Sequence, residues 1–187
     1  MSTALWLLGL LGLVGAFDTV YFHEWRGRLV ARSAMRPELK LHVARDGIYV
    51  VIFGSLPLIA WHGWWAAALA LLLIAEIVIT LADFVTEDKV RAGIGGVFPG
   101  ERVTHAIMGI IYGAMLGYLT PMLWRWAQEP TGLVGTSHPV PEALTWTLVA
   151  MACGILLHGL RDLYALSGLP SSQWPWGRTP TADSGAS

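Results

Sequence analysis

Five apolar runs, at residues 3–22, 47–61, 64–82, 106–124 and 143–160, limit this sequence to one kind of fold. A helix advances about 1.5 Å per residue, so about 20 apolar residues cross the hydrocarbon of a bilayer. Four runs reach that length with their flanks, and a helical extension from Pro37 carries the second run through the headgroup region. With 55% hydrophobic and 13% charged residues, the composition excludes an ordinary soluble domain. The expectation is an all-α polytopic bundle of five transmembrane helices over residues 1–166. Residues 167–187, rich in Pro, Ser, Gly and Thr, are expected to form a disordered cytosolic tail. No Lys or Arg precedes Arg26, so the first run lacks the charged start of a secretory signal and is read as helix 1.

Basic residues concentrate between helices 1 and 2 (Arg26, Arg28, Arg32, Arg36, Lys40, Arg45) and between helices 3 and 4 (Lys89, Arg91, Arg102). The positive-inside rule then puts the amino terminus outside and the carboxyl terminus in the cytosol. Trp61, Trp64, Trp65, Trp124, Trp126 and Trp146 fall at the outer interface, where indoles sit half buried and half wet. A formal net charge of −1 offers nothing to a nucleic acid. The single cysteine, Cys153, excludes an internal disulfide and a cysteine-rich cluster.

Shifted by 63 residues, the chain aligns Glu24 with Glu87, Arg28 with Arg91, Glu38 with Glu101, His42 with His105 and Tyr49 with Tyr112. Helices 1 and 2 then form a parallel repeat with helices 3 and 4, and a pseudo-twofold axis along the membrane normal would bring equivalent residues together. Residues four apart share a helix face, so Glu38 with His42, and Glu101 with His105, each aim a carboxylate and an imidazole at one point. Glu24 and Glu87 complete four carboxylates and two histidines, a ligand set for two divalent cations. Each residue also has an ordinary role: a first-turn Glu favours the helix dipole, and Glu24–Arg28 or Glu87–Arg91 can be i,i+4 ion pairs.

Glu76, Thr80, Asp83 and Glu87 form one stripe on helix 3, and a carboxylate at membrane depth faces the bundle interior. Asp18 is similarly placed on helix 1. His42, Arg45 and Asp46 recur in spacing as His158, Arg161 and Asp162, which suggests that Arg45 and Asp46 tune the site, with Asp83 also assigned to catalysis.

The order Glu, Glu-His, Glu, Glu-His along four helices resembles the ferritin-like di-iron and di-manganese carboxylate proteins, which implies two Fe or Mn ions, with Zn as a further option. Here the spacing is Glu-x-x-x-His where that family has Glu-x-x-His. Residues 101–113 also resemble uncharacterised bacterial multi-pass inner-membrane proteins, a likeness that implies no activity. Together these features lead to the expectation of a dinuclear membrane oxidoreductase with Glu24, Glu38, His42, Glu87, Glu101 and His105 as ligands. It would act on a membrane lipid or lipid-soluble substrate and receive electrons from a donor. The alternatives are a proton or metal-ion carrier and a b-type haem protein.

Overall fold

The computed structural model describes residues 1–136 and 138–177. Five long helices carry the fold: α1 (Ser2–Asp18), α2 (Arg36–Ser55), α3 (Trp64–Val90), α4 (Pro99–Ala127) and α5 (Glu142–Ser167). From Asp18 the chain continues as a π-helix over Thr19–Gly27, and short 3-10 turns at Leu29–Ala31 and Ser33–Met35 lead into α2. Proline stands in the first turn of α2 and α4, where its missing N–H leaves no carbonyl unserved. Gly168, at φ 70°, closes α5 in the left-handed conformation that glycine adopts without strain.

The helices form a ring in which α1 packs on α4, α4 on α3, α3 on α2, α2 on α5 and α5 on α1. Leu5, Leu8, Leu69, Met115, Leu119 and Leu148 fill the core toward the amino-terminal end of α1. Gly12 permits close approach at α1: a Cβ there would lie 2.6 Å from the Met151 sulfur on α5 and 2.8 Å from the Phe53 ring on α2. Leu13, Ile74, Val78, Ile110 and Leu157 point outward and are well exposed, as lipid-facing side chains are.

Four helical stretches are long and apolar enough to cross a membrane: Ser2–Ala31, Trp64–Val90, Pro99–Ala127 and Glu142–Ser167. The second apolar run does not form a helix of that kind. Its helix, α2, begins with Glu38, Lys40, Arg45 and Asp46, and the run's last residues leave the helix to form strand β1 (Ile59–His62). β1 pairs antiparallel with β2 (Gly132–Gly135), in register Ile59 to Gly135 and His62 to Gly132. Hydropathy cannot foresee a ladder whose partner lies some 70 residues away, since four apolar residues look alike in strand and helix. This small sheet holds the end of the ring opposite the carboxylates. Gly63 (φ 59°) bonds through its N–H to the Trp126 carbonyl at 2.8 Å, and a side chain there would strike Thr131.

Beyond Gly168 the chain makes turns through residues 169–177 that lie against the bundle. Arg161 donates to the Trp174 carbonyl at 3.1 Å, and Trp176 Nε1 donates to Glu24 at 3.2 Å. The rest of the expected tail lies outside the described residues.

Candidate metal centre

Asp18, His23, Glu38, His42, Asp83, Glu87, Arg91, Glu101 and His105 are all buried and meet at the end of the ring away from the sheet. Polar groups withdrawn from water need partners, so the connections among these residues decide what the cluster can do. Asp83 and Glu87 lie four residues apart on α3, and Glu38 with His42, and Glu101 with His105, repeat that spacing on α2 and α4. Ordinary α-helix geometry turns each pair inward.

His23 enters by a different route. In an α-helix, residues five apart differ by about 140° around the axis, and Asp18 and His23 would face apart. The π-helix closes hydrogen bonds five residues apart and brings them to one face. His23 Nε2 lies 3.3 Å from Asp18 Oδ2 and 3.0 Å from Glu101 Oε1. His105 Nε2 lies 3.2 Å from the same Asp18 oxygen, and its Nδ1 is 3.6 Å from Glu87. Thr104 donates a short hydrogen bond to the other Asp18 oxygen. Asp18, His23, Glu101 and His105 thus offer four donor atoms within 4.8 Å of one another.

A second group adjoins the first. His42 Nε2 lies 3.2 Å from Asp83 Oδ2 and 3.7 Å from Glu38 Oε1, and the His42 ring stacks on His23 with centroids 4.8 Å apart. Arg45 donates to the same Asp83 oxygen at 3.0 Å. The Nε2 atoms of His23 and His42, with Asp83 Oδ1 and Glu87 Oε2, are buried and have no aligned hydrogen-bond partner. Ring nitrogens 3.0–3.3 Å from carboxylate oxygens, without a proton directed along the line, have the separation of two ligands on one ion. Bonds of about 2.1 Å at angles near 90–110° put neighbouring ligand atoms about 3.0–3.4 Å apart.

Arg91 changes the expected ligand set. Its guanidinium is fully buried between Glu38 and Glu101, bonding both Glu101 oxygens at 2.6 and 2.7 Å and both Glu38 oxygens, one at 3.1 Å and the other by a shorter contact. Burial opposes its charge, but the bond to Glu38 and the charges of Glu38 and Glu101 outweigh that and raise its pKa above the usual arginine range. Glu38 and Glu101 are therefore both tied to one cation. Five carboxylates (Asp18, Glu38, Asp83, Glu87, Glu101) meet two guanidiniums (Arg45, Arg91) and three imidazoles (His23, His42, His105) here, and the imidazoles can answer the remaining negative charge as imidazolium or by sharing a cation with the carboxylates.

Of the six expected ligands, Glu38, His42, Glu87, Glu101 and His105 come together, and Glu24 does not. The π-helix turns Glu24 to another face, where both its oxygens accept from Arg161 at 2.6 and 2.8 Å. It borders a separate group with His158 and Asp162. Asp46, expected to tune the metals, instead accepts from His158 Nδ1 at 2.8 Å. Asp83 and Arg45 do reach the centre, through His42. The expected repeat is not confirmed: Glu38 and Glu101 share Arg91, whereas Arg28, aligned with Arg91 in the sequence, lies exposed over the Trp176 ring. Spacing rules based on an α-helix overlooked His23, and Arg91 looked like an ordinary ion pair because its two partners lie 53 and 10 residues away.

Comparison with known proteins finds no matching family model, no matching curated protein and no matching solved structure.

Proposed function

We propose that this chain is a membrane-embedded, metal-dependent oxidoreductase acting on a lipid-soluble substrate at the cytosolic side of a bacterial inner membrane. The observation that carries the proposal is the pair of buried imidazole nitrogens, His23 Nε2 and His42 Nε2, set among carboxylate oxygens with no aligned hydrogen bond. A cation in reach of both donor types would satisfy them. Asp18, His23, Glu101 and His105 would hold one ion, and His42 with Asp83 and Glu38 would form a second position beside it. Imidazole with carboxylate suits Fe, Mn or Zn, and of these Fe and Mn supply redox chemistry when bound. Arg91 would fix Glu38 and Glu101 in place, and Arg45 would hold Asp83.

In this proposal α2 is the fifth span. Its polar half is sheltered between α3 and α5, and its far end meets, through Ser55 and Trp61, the same small sheet that the ends of α3 and α4 meet. The Glu38 end would face the cytosol, following the arginines around it. A carrier has less support, because the core toward the sheet is lined by Leu5, Leu8, Leu69, Leu119 and Leu148, with no buried charged side chain there among the described residues.

Metal analysis of the purified protein, with oxygen consumption measured on candidate lipids, tests the proposal. Iron or manganese at one to two equivalents, lost in His23→Ala and in His105→Ala while the helical spectrum persists, is the expected result. A metal-free protein, or a Soret band in its place, overturns it. Uptake of protons or metal into liposomes without lipid-dependent oxygen consumption would assign the chain to transport.

A further inference from the structure

A cavity of about 630 Å³ lies inside the helix ring next to the candidate centre, with Asp18 and His105 in its wall. That volume is in the range of pockets that enclose an organic molecule of drug size. Its polar groups stand at three stations on different helix seams. Asp18 and His105 form one between α1 and α4, and His158 with Asp46 forms another between α5 and α2. The third is Glu76 on α3, whose Oε1 accepts from the Tyr49 hydroxyl at 2.6 Å and from Thr80 at 2.7 Å. Arg45, also in the wall, is held by Asp83.

Two features of these stations define an occupant. Each ionisable group is already paired with one of opposite charge or with hydroxyl donors, so a charged ligand would find no free countercharge. Each station also contains a carboxylate, which accepts hydrogen bonds, so the ligand must donate them, and to more than one wall. Between the stations the surface is aromatic and sulfur-bearing, with Phe53, Phe84, Met108 and Met151, and suits a flat ring. On the α3–α4 side Gly109 and Gly113 are exposed beside Leu81, which is 58% exposed, and a Cβ at either glycine would meet no atom within 4 Å. The seam is open there to an apolar tail.

We infer that the cavity binds a neutral, lipid-soluble quinol, a ring with hydroxyls at opposite edges reaching two stations and a tail leaving between α3 and α4. That it is the substrate rests on the proposed metal centre, whereas binding itself does not. Anaerobic titration of the full chain in lipid nanodiscs with a short-chain benzoquinol, its dimethyl ether and a fatty acid of similar size tests this.

One-to-one quinol binding is expected, weaker by about tenfold for the ether, which donates no hydrogen bond. Gly113→Leu and Asp46→Asn should each weaken quinol binding at least about tenfold with metal content unchanged. No quinol binding, equal binding of quinol and ether, tighter binding of the fatty acid, or insensitivity to both variants overturns the inference. Quinol bound by a metal-free protein would sustain the cavity and defeat the metal centre. Metal retained without quinol binding would do the reverse.

Discussion

Toward its end α3 keeps α-helical spacing, so Asp83 and Glu87 rise along one face and both enter the buried cluster. The corresponding end of the first helix does not: after Asp18 the chain passes into nine residues of π-helix, and His23 enters while Glu24 leaves. Two segments with the same Glu-x-x-x-Arg pattern therefore present different chemistry, a carboxylate pair from α3 and a carboxylate with an imidazole from the first helix. The consequence extends to their arginines. Arg91 leaves an α-helix and is buried between two glutamates, whereas Arg28 leaves the π-helix at φ 49°, faces solvent and covers Trp176. The cluster contains three histidines because the π-helix adds His23 to His42 and His105.

The largest contrast should appear on metal content. His23→Ala should remove most bound metal, whereas Glu24→Gln should leave it within experimental error, as read by elemental analysis of the purified proteins. If Glu24→Gln loses metal and His23→Ala keeps it, the π-helical face is not the one that binds.

Next in size is the arginine pair. Arg91→Met leaves Glu38 and Glu101 without their shared cation, at a cost of about 3–5 kcal/mol, the range for breaking a buried ion pair. Thermal unfolding in detergent should register it as a marked fall in Tm. Arg28→Gly, at a left-handed position that glycine accepts without strain, should change stability by less than about 1 kcal/mol, because it loses only the contact with Trp176. Equal effects at the two positions would show that the halves are more alike than the buried arginine indicates.

A smaller effect belongs to the face that Glu24 occupies. Arg161→Ala removes the bidentate bond to Glu24 and the bonds to the Trp174 carbonyl, so residues 169–177 should be cut a few-fold faster by protease with metal retained. An unchanged cleavage rate would mean that Trp176 and the Tyr164 hydroxyl bonded to the Pro170 carbonyl hold the segment without Arg161. Smallest of all, Asp88→Asn removes an ion pair whose side chains are more than 60% exposed, and no shift in unfolding should be resolved. A measurable loss there would place the α3–α4 turn in contact with something that protects it from water.

Much of the cluster could be read from the chain. Glu38 with His42, Glu101 with His105, and Asp83 with Glu87 were accessible because all three pairs keep a four-residue spacing inside true α-helix. His23 was not, since it sits five residues from Asp18 and joins it only where the helix widens. The positions of Asp46 and Glu24 apart from the cluster were not legible for a related reason: their partners, His158 and Arg161, lie 112 and 137 residues away on α5. Local spacing says nothing about which side of the ring α5 closes.

The sequence by itself determined an all-helical chain with spans long enough for a membrane, and the gathering of carboxylates and histidines at one end, because hydropathy and helical periodicity are local properties. The tertiary structure alone decided which of those groups share a space, that Arg91 ties Glu38 and Glu101 together, and that a cavity opens beside Asp18 and His105. Those outcomes depend on one π-helical segment and on the order of helices around the ring, and both are settled by packing between residues far apart in the chain.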